Sequence, residues 1–441
     1  MTGNRDDLTA RKAETFSCAR TPRQILKDGL PPFLLQALRG LTGGIEQRLY
    51  RPSHLRVLLH DLEPQPVAPD AQSPSRWEYK RALVDWLIRA QDAASGGGVA
   101  GYYTFTDGWN SAYPETTGYI ITTMLEASSR LKDQDLATRA YRMADWEVEV
   151  QLPDGAWQSG FITAPKVPSV FNTGQVVDGL VTAYVWGKNV KYIEAAARAG
   201  QWLIDHQDAD GAWRRQTYNN FPNTYSTRVA WPLLMLAETT GSHKFRQSAV
   251  RYLDWASRCQ DETGWFEQCT LEVNEAPLTH TLGYTIEGFI EAGILLKEER
   301  WLEVGKRAAD ALLHRYEVRR HLAGTYAKGW HGDHTFACMT GCAQLSRVWG
   351  RLYEVTRDAR YLNALLKLND FVLSGVDLQS ANPGIRGGVK GSQPIWGYYM
   401  TYRYPSWAAK FTLDALFQED DALTIFGKTS NEPHHSLRLP Q

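Results

Sequence analysis

From Trp77 onward the chain alternates between two kinds of helical segment, and this alternation constrains the fold more than any other feature. One kind is amphipathic, with charges along one face: 78–91, 135–151, 191–207, 244–260, 300–316 and 360–373. The other is apolar on nearly all sides and poor in charge: 115–128, 173–186, 227–239, 281–296, 339–353 and 406–416. A helix apolar all round is buried, so the first set reads as outer and the second as inner. Six of each, with the first outer segment left to pair with the last inner one, predicts an all-α (α/α)6 toroid. A single hairpin cannot bury its apolar face without neighbours, so the repeat also explains a one-domain length of 441 residues. No run of strands competes.

The Pro-rich passage 63–74 breaks the periodicity. It divides the chain into an extension over 1–75, a toroid over 76–420 and a tail over 421–441. The amphipathic stretch 31–41 (PPFLLQALRGL) is expected to pack on the toroid rather than lie on a membrane. Residues 1–19 are polar without an apolar segment, and no run of about 18 apolar residues follows, so a cytoplasmic protein is expected. Lys plus Arg number 48 against 49 Asp plus Glu, which gives no basic face for a nucleic acid. Five Cys over this length do not form a disulfide framework. With 16 Trp and 21 Tyr, the chain holds more large aromatics than a core needs, which points to a wide binding surface.

Two turns, QLPDGAW at 151–157 and QDADGAW at 207–213, share Q-x-x-D-G-x-W, and QDETGW at 260–265 is a degenerate copy. They resemble the QW motif of terpene cyclases and other α/α toroids. The D-x-D-D and D-D-x-x-D acids of terpenoid chemistry are missing, as is a phosphate-binding G-x-x-x-x-G-K-[ST] loop.

In a ring of hairpins the inner helices all start at one mouth. Those starts are 113–119 (YPETTGY), 171–175 (FNTGQ), 225–231 (YSTRVAW), 279–287 (THTLGYTIE), 338–344 (CMTGCAQ) and 404–410 (YPSWAAK). Each sets a polar group beside an aromatic or a Gly, and burying such groups without partners costs several kcal/mol. Aromatic platforms with amides, hydroxyls and charges suit a sugar. The expected binding residues are Tyr113, Asn172, Gln175, Arg228, Trp231, Gln344, Trp407 and Lys410, with Trp396 and Tyr399 from the long loop 380–404.

This pattern resembles the six-hairpin glycosidase-like enzymes and related toroid polysaccharide lyases over about residues 76–417. It is most similar to toroid proteins encoded beside bacterial polysaccharide-biosynthesis genes, which carry stretches like YPETTGYI, FNTGQ, RVAW, LTHT and PIWGYY. The resemblance implies a carbohydrate role and transfers no catalytic residue. Catalytic roles therefore come from side-chain chemistry. Glycoside hydrolysis needs two carboxyl groups roughly 5 to 9.5 Å apart, and Glu115 and Glu287 are the carboxylates of the six starts. The alternative is elimination or C5 epimerisation of a uronic acid, with His280 or Tyr284 as base and Asn172, Arg228 or Lys410 on the sugar carboxylate. His280, Tyr284 and Glu287 share a helical face. A third alternative is a non-catalytic glycan binder. Arg386, Lys390 and Arg403 add cations to the mouth, so an acidic glycan is expected. His331, His334, Cys338 and Cys342 present soft ligands at an unusual zinc spacing, but buried cysteines at a helix start read first as core, and no metal or cofactor is expected.

Overall fold

The computed structural model describes residues 74–431 and, before them, 51–62 together with positions 38, 40, 42, 43 and 47. The 31–41 stretch lies almost wholly outside these. Thirteen α-helices are described. Helix α1 (Pro52–Leu62) precedes the ring. The outer helices are α2 (Arg76–Ala93), α4 (Gln134–Val150), α6 (Val190–Asp205), α8 (His243–Arg258), α10 (Glu299–Arg319) and α12 (Ala359–Ser374). The inner helices are α3 (Pro114–Leu131), α5 (Val170–Gly187), α7 (Thr227–Thr240), α9 (Thr279–Leu296), α11 (Met339–Thr356) and α13 (Ser406–Asn431).

Each inner helix packs on the next, and α13 returns to both α3 and α2, which closes the (α/α)6 ring. Across the seam Arg76 meets Glu419 at 2.8 Å and Lys80 meets Asp420 at 2.6 Å, while the Thr123 hydroxyl donates to Asp414 at 2.7 Å. Close approach of the inner helices depends on glycine. A Cβ on Gly179 would stand 2.0 Å from the Gly118 carbonyl oxygen, and one on Gly341 would stand 2.6 Å from the His280 amide nitrogen.

Local chemistry sets the boundaries. Ser75 and Glu78 form a reciprocal capping box on α2, Asp133 caps α4, and Lys132 and Lys188 end α3 and α5 in the left-handed conformation. The QW turns are inter-hairpin ties. Gln151 Nε2 donates at 2.9 Å to Gly155 in its own turn and at 2.9 Å to Ala195 on the next outer helix, and Gln207 and Gln260 repeat the pattern. Their glycines do not stop the helices, which end several residues earlier. They let the turn press on the neighbouring outer helix: Gly211 has φ 97°, and a Cβ there would stand 2.3 Å from the Arg251 oxygen. Trp157 and Trp213 are buried and donate their indole N–H to the helix they follow.

Two expectations change. The last inner helix does not end near 416 but continues to Asn431, into the expected tail, because its second half supplies the partners of Arg76, Lys80 and Arg130. Short strands also exist: β1 (Tyr102–Thr104) pairs antiparallel with β2 (Gly108–Trp109) and with β7 (Arg403–Pro405). β3 (Thr325–Ala327) pairs with β4 (His331–Asp333), and β5 (Ala337–Cys338) with β6 (Ser392–Gln393). They brace the loops around the mouth. Helix α1 is docked rather than appended: buried Asp61 pairs with Lys390 and accepts from Gln393 Nε2 at 2.9 Å and the Ile395 amide at 2.7 Å. No described helix is long and apolar enough to cross a membrane.

Candidate active site

The mouth formed by the inner-helix starts opens into a cavity of about 360 Å³. Its wall is largely a chain of rings. Tyr113 lies 6.4 Å from Trp407, whose Nε1 donates to the Tyr399 hydroxyl at 2.8 Å. Tyr399 lies 5.4 Å from His280, His280 4.4 Å from Tyr284, Tyr284 5.1 Å from Phe171, and Phe171 5.2 Å from Tyr225. Asn172, Ser169, Leu271, Thr281, Met400 and Tyr218 complete much of the remainder.

Glu115 is the one carboxyl in this wall among the described residues, and neither Lys nor Arg lines it. Pro114 opens α3 and sets Glu115 in its first turn, where the Tyr113 hydroxyl donates to it at 2.6 Å. Burial pushes the Glu115 carboxyl up to about 7, against the Tyr113 hydrogen bond that pulls it down. It therefore exchanges its proton near neutral pH. His280 moves the other way: burial pushes it down to about 4, although its bond to Gln344 opposes the shift. With Gln344 Oε1 placed 2.7 Å from Nδ1, the ring carries its proton on Nδ1 and leaves the Nε2 lone pair unused. Gln344 reaches this position from α11 over Gly283, where a Cβ would stand 3.0 Å from Gln344 Oε1. The Tyr284 hydroxyl lies beside that of Tyr119 yet finds no partner at hydrogen-bond geometry, an orphaned polar group in a cavity wall. Ser169 caps α5, accepting from the Asn172 amide at 3.4 Å, and the Asn172 side chain accepts from Ser169 Oγ at 3.0 Å and donates to the Gln158 carbonyl at 2.9 Å.

The cavity thus gathers Glu115, His280, Tyr284, Tyr113, Asn172, Tyr399 and Trp407 from the residues the sequence singles out. It does not gather Glu287. That carboxylate sits deeper on α9, beside Arg228 at 3.1 Å and bonded to Arg347, in a buried network. Arg228 also meets Asp178 at 3.2 Å, and Glu291 meets Arg347 at 3.1 Å and Arg351 at 2.9 Å. Two turns of helix carry Glu287 below the mouth, where it balances arginines. Gln175 is likewise buried and donates to the Arg228 carbonyl at 3.1 Å, Trp231 lies under the Arg228 guanidinium at 4.5 Å, and Lys410 pairs with Asp414. Gln344 stands behind His280 rather than in the wall, and Trp396 packs against Gly40. The cations expected at the mouth are spent elsewhere: Lys390 on Asp61, and Arg403 over the Tyr102 ring at 5.0 Å, while Arg386 is exposed away from the cavity. The zinc spacing makes no site. His334 packs on His321 at 4.7 Å, burial pushes the Cys338 thiol up to about 12, and no cluster of three metal-ligating side chains occurs among the described residues.

Sequence reasoning passed over Tyr218, Leu271 and Met400, which come from connecting loops, and Phe171 and Tyr225, which it quoted without choosing. The one available signal was the exposed-type aromatic Tyr218 followed by Asn219 and Asn220, a pair suited to left-handed backbone.

No protein-family profile and no curated relative matches this chain. Solved structures do. An unsaturated glucuronyl hydrolase specific for heparin superposes with a TM-score of 0.64 at 14% identity, covering 79% of this chain and 98% of its own. Cellobiose 2-epimerase from Bacillus thermoamylovorans gives 0.61 at 13% identity, covering 78% and 98%. The GH76 α-mannanase of Bacteroides thetaiotaomicron gives 0.54 at 15%, covering 80% and 98%. The chain has the fold of these (α/α)6 toroids. At such identities the likeness concerns the backbone, and the chemistry rests on this chain's own cavity.

Proposed function

We propose that this protein is a carbohydrate-active enzyme that hydrolyses a glycosidic bond, with Glu115 as proton donor and His280 as proton acceptor. The observation that carries the reading is a single carboxyl group, raised to about 7, in an aromatic cavity whose wall among the described residues holds no other fixed charge. Rings of this kind suit the apolar faces of a sugar, and the fold it shares with glycoside hydrolases and a sugar epimerase supports the same class. In the step proposed, the Glu115 proton passes to the glycosidic oxygen as the C1–O bond breaks. A water oxygen bonds to C1 and gives a proton to His280 Nε2, so each sugar fragment leaves with a hydroxyl. Glu287 has no part in it.

The absence of Lys and Arg from the wall among the described residues moves the substrate from the acidic glycan expected above to a neutral one. The second reading is epimerisation, in which His280 removes a proton from a sugar carbon. The lack of a second carboxyl in the described wall favours it. Neutral oligosaccharides incubated with the protein in D2O, followed by reducing-end assay and proton NMR, separate the two. New reducing ends that disappear in Glu115→Gln support hydrolysis. Deuterium entering a ring carbon with no new reducing end replaces it by epimerisation, and neither signal with any neutral sugar sinks the enzyme reading in favour of a glycan binder.

A further inference from the structure

Outside the cavity, two large aromatic side chains stand open to solvent at the mouth: Tyr218 is 48% exposed and Tyr398 is 60% exposed. Neither is loose. The Tyr218 hydroxyl donates to Glu272 Oε1 at 3.1 Å, and its neighbour Asn219 donates to Glu272 Oε2 at 2.8 Å. The Tyr398 hydroxyl donates to both Glu275 oxygens, at 3.0 and 2.9 Å. The two glutamates are three residues apart on one loop, and both oppose ionisation of both tyrosines, so the four side chains form one cluster. Tyr218, Leu271 and Met400 also line the cavity, which makes the cluster its outward continuation. The three loops that meet here hold non-glycine residues in the left-handed region: Gln216, Asn219, Asn220, Asn274 and Met400, with φ between 48° and 68°. Asn enters this region readily, whereas Gln216 and Met400 hold it only because their surroundings enforce it. Within the same cavity the buried Tyr284 hydroxyl lacks a partner.

We propose that Tyr218 and Tyr398, with Glu272 and Glu275 behind them, form an outer subsite for a second neutral sugar unit of a ligand whose first unit fills the cavity. The inference rests on the glycan reading above. Rings fixed at their hydroxyl ends, with Tyr398 also held edge-on to Phe336 at 6.3 Å, keep much of their surface open, and ordering them beforehand lowers the entropy cost of stacking a sugar on them. A carboxylate oxygen accepts more than one hydrogen bond, so Glu272 and Glu275 keep capacity for sugar hydroxyls after taking the tyrosines. The same two charges, beside a wall that holds no Lys or Arg among the described residues, repel a uronate.

The test is calorimetric titration of the full chain with gluco- and manno-configured mono-, di- and trisaccharides and with a glucuronate-terminated disaccharide. In one neutral series the disaccharide should bind roughly tenfold more tightly than the monosaccharide. Tyr398→Ala should erase most of that gain with monosaccharide affinity kept, Tyr218→Ala should erase it while also weakening the monosaccharide because Tyr218 lines the cavity, and the Phe variants, which keep the ring and lose its tether, should retain part of it. The glucuronate disaccharide should bind more weakly than its neutral counterpart. Affinity independent of length, or a gain unaffected by both Ala variants, overturns the outer subsite and leaves the glycan reading standing. Equal or tighter binding of the glucuronate overturns its neutral character, and failure of every sugar to bind overturns the glycan reading itself.

Discussion

The first turns of the inner helices and the layer two turns below them hold the same kinds of side chain in opposite states. At the mouth, Glu115, His280 and Tyr284 have few partners, and burial drives each toward its neutral form. Below, burial alone would raise Glu291, but Arg347 and Arg351 hold it under the usual carboxylate range, and Glu287 lies between Arg228 and Arg347. The deeper layer is internally compensated and braces the ring. The upper one keeps polar groups unsatisfied, and that is where a ligand gains most from supplying partners.

The largest expected effect that sharpens this contrast is on turnover. Glu115→Gln should cost about 10²- to 10⁴-fold in kcat with the fold intact by circular dichroism. A loss under tenfold would remove Glu115 as proton donor. Glu287→Gln tests the other layer. It leaves Arg228 with Asp178 alone and Arg347 with Glu291 alone, and should destabilise the fold by up to about 3 kcal/mol in urea unfolding. The folded fraction should still turn over at the wild-type kcat, and a kcat collapse at unchanged stability would put Glu287 back in the chemistry.

The next effect is a pH dependence. Because the Glu115 carboxyl titrates near 7 when folded against 4.5 otherwise, the folded state keeps a proton that the unfolded state has lost across that window. The contribution of this group to stability therefore falls by roughly 3 kcal/mol as pH rises from 4.5 to 7, while the lowered His280 contributes in the opposite direction below 6.5. Glu147, buried with both oxygens unpaired and pushed well up by burial, acts in the same direction as Glu115. The difference between wild type and Glu115→Gln isolates Glu115: the variant should gain relative stability as pH rises, and kcat/KM of the wild type should fall above pH 7. A flat difference would show that Glu115 ionises normally. The smallest effect concerns Gln344, which touches His280 and not the cavity. Gln344→Ala should lower kcat about tenfold with KM little changed, and imidazole ¹⁵N shifts should report a mixture of His280 tautomers. A single unchanged tautomer would reduce Gln344 to packing.

Most of this arrangement was legible before any coordinates. Apolar and amphipathic periodicity separated inner from outer helices, and the ring order followed from burial, because each apolar helix needs neighbours. Boundaries fell within a few residues, except where α13 runs on through Glu419 and Asp420 to meet α2. The site was half legible. Residues in the first turn of an inner helix, such as Glu115 and His280, lie at the mouth because position along the helix fixes which end of the ring they occupy.

Depth and partnership were not legible. Glu287 shares a helical face with His280 and Tyr284, and spacing alone cannot show that two turns of rise carry it out of the cavity and between two arginines. Arg228, Lys390 and Lys410 read as cations awaiting an acidic glycan, since a sequence counts charges without pairing them. Asp178 and Asp61 cancel the first two from distant positions, and Asp414 cancels Lys410 from one turn further along the same helix, a pairing the i,i+4 spacing already offered. Tyr218 and Tyr398 were missed because loops carry no periodicity, and only the folded chain brings both to the mouth beside Glu272 and Glu275. The sequence by itself determined a ring of twelve helices with its polar groups at one mouth, because hydrophobic burial depends on composition and period. Tertiary structure decided which of those groups remain unpaired, because electrostatic compensation depends on distance.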